Sequence, residues 1–131
     1  MAGRIHHMII AVNNYDRACR FYDWLMPKVG YLNVHDYGEM RGWEAGGNSF
    51  WVKKADPRFA TDTFNKDRVG LCEIAFNGDN RAQIDALATE IEARGGKITD
   101  PPREYDYVPG YYAVFFTDPD GIKLEVVHTP S

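Results

Sequence analysis

Apolar residues fall along the chain in two rhythms, and the switches between them mark out its elements. Residues 5–12, IHHMIIAV, alternate as Ile5, His7, Ile9 and Ala11 on one face and His6, Met8, Ile10 and Val12 on the other, which predicts a strand covered on both sides. From Asn14 the interval changes. Tyr15, Ala18, Phe21, Tyr22 and Leu25 recur at helical spacing, with Asn14 placed to cap the helix and Pro27 and Gly30 to end it. Short strands are predicted near 31–37, 40–45 and 49–54, separated by glycine-containing turns, and residues 55–69 are polar and unpatterned, a connecting loop. A strand over 70–77 opens the second half. A helix over 80–94 follows, with Asn80 as cap, Ile84, Leu87 and Ile91 as its apolar stripe and Gly95-Gly96 as its stop. Strands at 97–99, 111–117 and 122–128 complete the pattern, the last two joined by the turn Asp118-Pro119-Asp120-Gly121.

The two halves follow one plan. HMIIAVNN from His7 and EIAFNGDN from Glu73 superpose at a step of 66 residues (73 − 7), which also places Phe21 on Leu87, Leu25 on Ile91 and Gly30 on Gly96. GNSFWVKK falls on GIKLEVVH and pairs Trp51 with Glu125 at a step of 74 (125 − 51), so the second copy carries extra residues in its middle loops. The expectation is an α+β fold of two tandem βαβββ modules in one domain spanning 1–131: module one about 1–55, a linker about 55–69, module two about 70–131. The larger Ile10 and Phe76 are expected under the helices, which leaves His7 and Glu73 as equivalent positions on the opposite, inner face. A carboxylate at the centre of an apolar strand is costly to bury without a partner, so Glu73 asks for a function.

Composition narrows the options. The net charge of −4, with no basic cluster, argues against a nucleic-acid partner. The apolar runs are too short to span a bilayer. Cys19 and Cys72 are isolated, without metal-type spacing, and read as buried free thiols, which fits a reducing cytoplasm. Aromatic content of 14% points to a ligand pocket or an oligomer interface.

HMIIAVNNYDRACRFY, GLCEIAF and above all YYAVFFTDPDGIKLEVVH resemble the vicinal oxygen chelate superfamily, the group of glyoxalases, bleomycin-resistance proteins and extradiol dioxygenases. The resemblance covers nearly the whole chain. It implies a cup of mixed sheet, usually completed in a homodimer, with metal ligands from the first and last strands of each module. Position by position these are His7, Trp51, Glu73 and Glu125. Trp51 cannot ligate a metal, so His7, Glu73 and Glu125 remain, and a four-ligand lactoylglutathione-lyase site is disfavoured. In relatives that share sites between subunits, His7 of one chain would join Glu73 and Glu125 of the other. One imidazole and two carboxylates form a hard donor set, suited to Mn²⁺, Fe²⁺ or Mg²⁺, with Zn²⁺ and Ni²⁺ as further candidates. Two converging carboxylates also favour a cation on physical grounds, since one must otherwise take up a proton.

Two main functions compete. In the first, a bound divalent ion chelates vicinal oxygens of a small substrate for lyase, isomerase, epoxide-opening or ring-cleaving chemistry, with Glu73 or Glu125 as base and Trp51, Lys53, Tyr111 and Phe115 lining the pocket. In the second, the protein is metal-free and sequesters a drug or small aromatic ligand, as bleomycin-resistance proteins do. A domain that only dimerises is a weaker third. His6 is expected on the face opposite His7, His35 and His128 as rim or surface residues without partners, and Tyr105 and Tyr107 as parts of an aromatic loop able to cover the site.

Overall fold

The computed structural model describes residues 2–130, and the chain divides into two compact units, one running to Asp62 and the other starting at Thr63. The first comprises β1 (His7–Val12), α1 (Tyr15–Lys28), β2 (Asn33–Asp36), β3 (Met40–Ala45) and β4 (Asn48–Lys54). Its sheet runs β1-β4-β3-β2, with β1 parallel to β4 and the other pairs antiparallel. Ile10, Val12, Trp43, Phe50 and Val52 are buried on one face, together with Phe21, Tyr22 and Leu25 of α1. The Tyr22 ring lies 5.0 Å from Phe50 and 6.0 Å from Trp43 between centroids. Each such side chain removed from water contributes roughly 1.5–3 kcal/mol.

The helix starts where predicted, with the Asn14 carboxamide accepting the Arg17 N–H at 3.1 Å. It continues through Pro27 to Lys28, because a proline in the last turn removes only one backbone bond. The chain then leaves through Gly30 at φ +96°, and the Tyr31 N–H returns to the Met26 carbonyl at 2.9 Å.

The second unit repeats this order as β5 (Ile74–Asn77), α2 (Arg81–Ala88), β6 (Lys97–Glu104), β7 (Tyr112–Thr117) and β8 (Lys123–His128), in a sheet ordered β5-β8-β7-β6. The tandem βαβββ plan is therefore real. The alignment of the two copies holds at the level of register, since Trp51 pairs with Ile9 and Glu125 with Ala75, residues again 66 apart (75 − 9). Phe76, Ile84, Leu87, Ile91, Phe116, Leu124 and Val126 are buried on the helix side of this unit.

Several boundaries differ from the sequence pattern, β1 and β2 starting two residues later than predicted. The helix predicted over 80–94 stops at Ala88; the Thr89 hydroxyl donates to the Ala86 carbonyl at 2.7 Å, and the chain tightens into a 3-10 turn at Glu92–Arg94 before Gly95 at φ +100°. The strand expected at 97–99 extends to Glu104. Pro101 and Pro102 disguise it in the sequence, but β6 is an edge strand and its register slips at Asp100, so it tolerates them. Finally, β5 begins at Ile74, so Glu73 precedes the ladder instead of sitting in its middle, and Cys72 is exposed where a buried thiol was expected; Cys19 is buried. Among the described residues no helix is long and apolar enough to cross a membrane.

Candidate functional site

In the first unit the face of the sheet opposite α1 carries the chemistry. Strand pairing aligns His7 with Ser49, Ile9 with Trp51 and Ala11 with Lys53 along β1 and β4. Across β4 from these, Gly42 stands beside Trp51. The indole lies flat over that glycine: a Cβ at position 42 would come within 2.3 Å of it. The Trp51 Nε1–H donates to Ser49 Oγ at 2.8 Å, which fixes the rotation of the ring. His35 and Tyr37 lie nearly parallel to the indole, at 25° and 13°, with centroids 5.9 and 5.6 Å away. Beside this stack opens a cavity of about 310 Å³, bounded by His6, His7, Ile9, Met40, Ser49 and Trp51, with Tyr37 at its side.

His7 is exposed. Its Nδ1 is 2.9 Å from Nδ1 of His6, so one of the two nitrogens carries the proton; Nε2 of His7 has a lone pair for a metal in the tautomer in which His7 Nδ1–H donates to His6. His6 thus touches His7 and borders the same cavity, contrary to the opposite-face expectation, because it precedes β1 and strand alternation does not bind it. His35 also has partners: its Nε2 meets Glu44 Oε1 at 3.0 Å and its ring stacks on Trp51. Glu44 lies on the neighbouring β3 and Trp51 one strand further, on β4, which linear spacing does not reveal. His128 pairs in register with Tyr112 at the end of β8.

In the second unit the face opposite α2 holds Glu125, which is 3% exposed and lies between Ala75 and Phe115 in the ladder. The Tyr111 hydroxyl donates to Glu125 Oε2. Glu73 Oε2 is buried without a hydrogen-bond partner, and the Lys123 ammonium stands 4.0 Å from it. Lys123 also lies over the Phe115 ring at 5.3 Å. Burial raises the proton affinity of Glu125; the Tyr111 bond opposes this, while the charge of Glu73 and a hydrogen bond with it push the same way as burial. The Tyr111 hydroxyl is likewise held protonated, by burial first and by its bond to Glu125 second.

Phe115 packs with Tyr105 and Ala113 in a small apolar cluster against which Tyr111 and Val127 rest. Of the two tyrosines expected in a covering loop, Tyr105 is buried and donates to the Pro101 carbonyl at 2.6 Å. Tyr107 is 68% exposed and sets its ring edge-on to Tyr111, 5.0 Å away. The Asp118 turn is structural: its carboxylate accepts the Asp120 and Ile122 N–H groups.

The structure therefore brings Glu73 and Glu125 together, adds Tyr111 as the donor that orients Glu125, and sets Lys123 beside Glu73. Lys123 has a legible signal, two residues before Glu125 on the same strand face. The bond from Tyr111 has none, since Tyr111 sits in the loop before β7. Two neighbouring carboxylates, Glu125 with its raised proton affinity and Glu73 with an unsatisfied buried oxygen, fit a hard divalent cation as two of its donors. Among the described residues no group of three or more His, Cys, Asp or Glu side chains is gathered in a way that could hold a metal. Unit two thus offers two donors and not a complete site.

Duplicated βαβββ units with polar side chains on the faces turned away from both helices define a tandem α+β domain of the glyoxalase fold. The chain belongs to the Glyoxalase/Bleomycin resistance protein/Dioxygenase superfamily, whose family model matches residues 4–126. It is similar to the uncharacterized protein YqjT of Bacillus subtilis, 27% identical over 94% of this chain and 97% of that protein. It is also similar to the metallothiol transferase FosB of Shouchella clausii, 29% identical over 98% of this chain and 82% of the enzyme. A crystal structure from Bacillus halodurans, provisionally called a glyoxalase, superposes with a TM-score of 0.85 at 30% identity, covering 97% of this chain and 96% of the other. A glyoxalase/bleomycin resistance protein from Albidiferax ferrireducens superposes at 0.77 with 23% identity, over 96% and 98% of the two chains, and shares the fold.

Proposed function

We propose that the protein is a divalent-metal-dependent enzyme of this superfamily, acting on a small substrate that presents two neighbouring oxygens. The observation that carries this reading is the Glu73–Glu125 pair, with one orphaned carboxylate oxygen and a buried glutamate held by a tyrosine hydroxyl. The similarity to a metallothiol transferase supports the same direction. Glu73, Glu125 and His7 are the proposed ligands, and when bound the ion would polarise a substrate oxygen as a Lewis acid. Glu73 or Glu125, whichever is not engaged by the ion, is the proposed base. Tyr111 fixes the orientation of Glu125, and Lys123 offsets the charge of Glu73. A metal-free ligand-sequestering protein is the second reading, favoured by the aromatic-flanked cavity beside Trp51.

Metal content separates them. Protein prepared without a His tag should carry about one divalent ion per chain, and His7→Ala and Glu125→Ala should each lose it while keeping a folded circular-dichroism spectrum. A wild type that stays empty after incubation with Mn²⁺, Fe²⁺, Zn²⁺ and Ni²⁺ would overturn the enzyme reading and leave sequestration in front. A homodimer, the assembly common in this family, is checked by sedimentation.

A further inference from the structure

We propose that the face of the first unit opposite α1 binds a flat aromatic carboxylate, its ring on Trp51, its acid group at Lys53 and its far end toward His7. This names the substrate class for the metal-dependent reading and rests on that reading for the role of His7. Three rungs of the β1–β4 ladder stand in line: His7 with Ser49, Ile9 with Trp51, and Ala11 with Lys53. Side chains two residues apart on one strand face are separated by about 6.6 Å. A ligand lying along β4 would therefore meet an imidazole, an apolar floor and an ammonium in turn.

The middle rung is built for a flat ring. Gly42 gives up a side chain in mid-strand, and only that absence lets the indole lie against the sheet. The Nε1–H is already given to Ser49, so Trp51 offers the cavity its face and not a donor. His35 and Tyr37 lie nearly parallel to the indole with centroids 5.9 and 5.6 Å away, the spacing of offset stacks that cover only part of a ring. They flank the ring, and Trp51 stays only half-buried. Ile9 beside it is 44% exposed, an isoleucine left to solvent next to an open indole. The cavity of about 310 Å³ has the size of a small-molecule site.

The charged end stands one rung beyond the residues that line the cavity. Lys53 is exposed on the same face as Trp51, whereas Lys54, on the other face, lies over the Tyr15 ring. Asp56 is a Coulombic neighbour of Lys53, but its carboxylate is taken by the backbone N–H and guanidinium of Arg58 at 2.9 and 3.0 Å. Among the described residues, Lys53 is thus the cation this face presents to an acid.

The test is calorimetric titration of chelator-treated protein with 2-naphthoate, set against 2-naphthalenemethanol and cyclohexanecarboxylate. One naphthoate should bind per chain, and Trp51→Ala should weaken it about tenfold, the scale of a lost aromatic stack. Trp51→Phe should fall between the two, and Gly42→Ala, which keeps the indole but lifts it, should weaken binding as well. Lys53→Met should weaken naphthoate several-fold and leave 2-naphthalenemethanol unchanged. The proposal is overturned by unsaturable naphthoate binding, by equal affinity for cyclohexanecarboxylate, or by indifference to Trp51→Phe and Gly42→Ala in folded protein. Because the titration is metal-free, its failure leaves the metal reading standing. Intact naphthoate binding in a protein that takes up no metal would overturn the metal reading alone.

Discussion

Gly42→Ala isolates how the sheet seats Trp51. The added methyl would sit 2.3 Å from the nearest indole carbon and 2.4 and 2.6 Å from the next two. Carbon atoms pack at about 3.5–4.0 Å, so the ring must rise by more than about 1 Å. Lifting it stretches the Nε1–H bond to Ser49, now 2.8 Å, whose net worth is about 0.5–1.5 kcal/mol. It also disturbs the offset contacts with His35 and Tyr37, of which such pairs contribute about 0.5–1.5 kcal/mol. Because Trp51 is half-buried and can swing outward, the cost should fall at the low end of overpacking, about 1–2 kcal/mol.

The assay is urea denaturation followed by far-ultraviolet circular dichroism, run as a double-mutant cycle with Trp51→Ala. Without the indole, Gly42→Ala meets open space and should become neutral or stabilising by about 0.4–1 kcal/mol, since alanine lowers the entropy of the unfolded chain. An equal cost for Gly42→Ala in both backgrounds would refute the argument, because the penalty would then come from the backbone and not from the ring.

Three further outcomes follow from the same geometry. Tyr111→Phe removes the donor from a buried carboxylate and should cost about 1–3 kcal/mol in urea unfolding of the metal-free protein; an unchanged midpoint would show that Glu125 finds another donor. Glu125 holds its proton more tightly in the folded state than at its ordinary value of 4.5, so its contribution is fully present below that range and is lost as pH rises through the folded value. Glu125→Gln, neutral throughout, should therefore gain on metal-free wild type between pH 4 and 7, by about 1.4 kcal/mol per unit of upward displacement, and a pH-independent difference would contradict this. Burial, with Cys19 beside it, pushes the Tyr15 hydroxyl up to about 12 from 10.0. Stability should accordingly decline as pH rises from about 10 toward 12, and Tyr15→Phe should reduce that slope in a series of thermal melts.

Periodicity and end signals carried the element order. Both helix caps, Asn14 and Asn80, act where local spacing puts them, because a cap depends only on residues three positions away. The internal step of 66 residues made the duplication legible, and a step of 74 gave the equivalence of Trp51 and Glu125, which the two ladders reproduce by pairing them with Ile9 and Ala75. Strand alternation likewise separated Ile10 and Phe76, buried on the helix side, from the exposed Ala11 and Ala75.

Contacts that join distant segments were decided by the tertiary structure alone. Alternation has no hold on a residue outside a ladder, so His6 turned toward His7 and Glu73 settled just before β5. Tyr111 reaches Glu125 across the hairpin, and His35 finds Glu44 on the neighbouring strand and Trp51 on the strand beyond it. Only lateral pairing shows that Gly42 is the seat of an indole. Sequence by itself thus determined the repeat, the caps and which residues share a face, since these are properties of spacing along one chain. Which of those residues touch, and which carboxylate oxygen is left without a donor, depends on strand register and packing, where neighbours are set by the fold and not by their order.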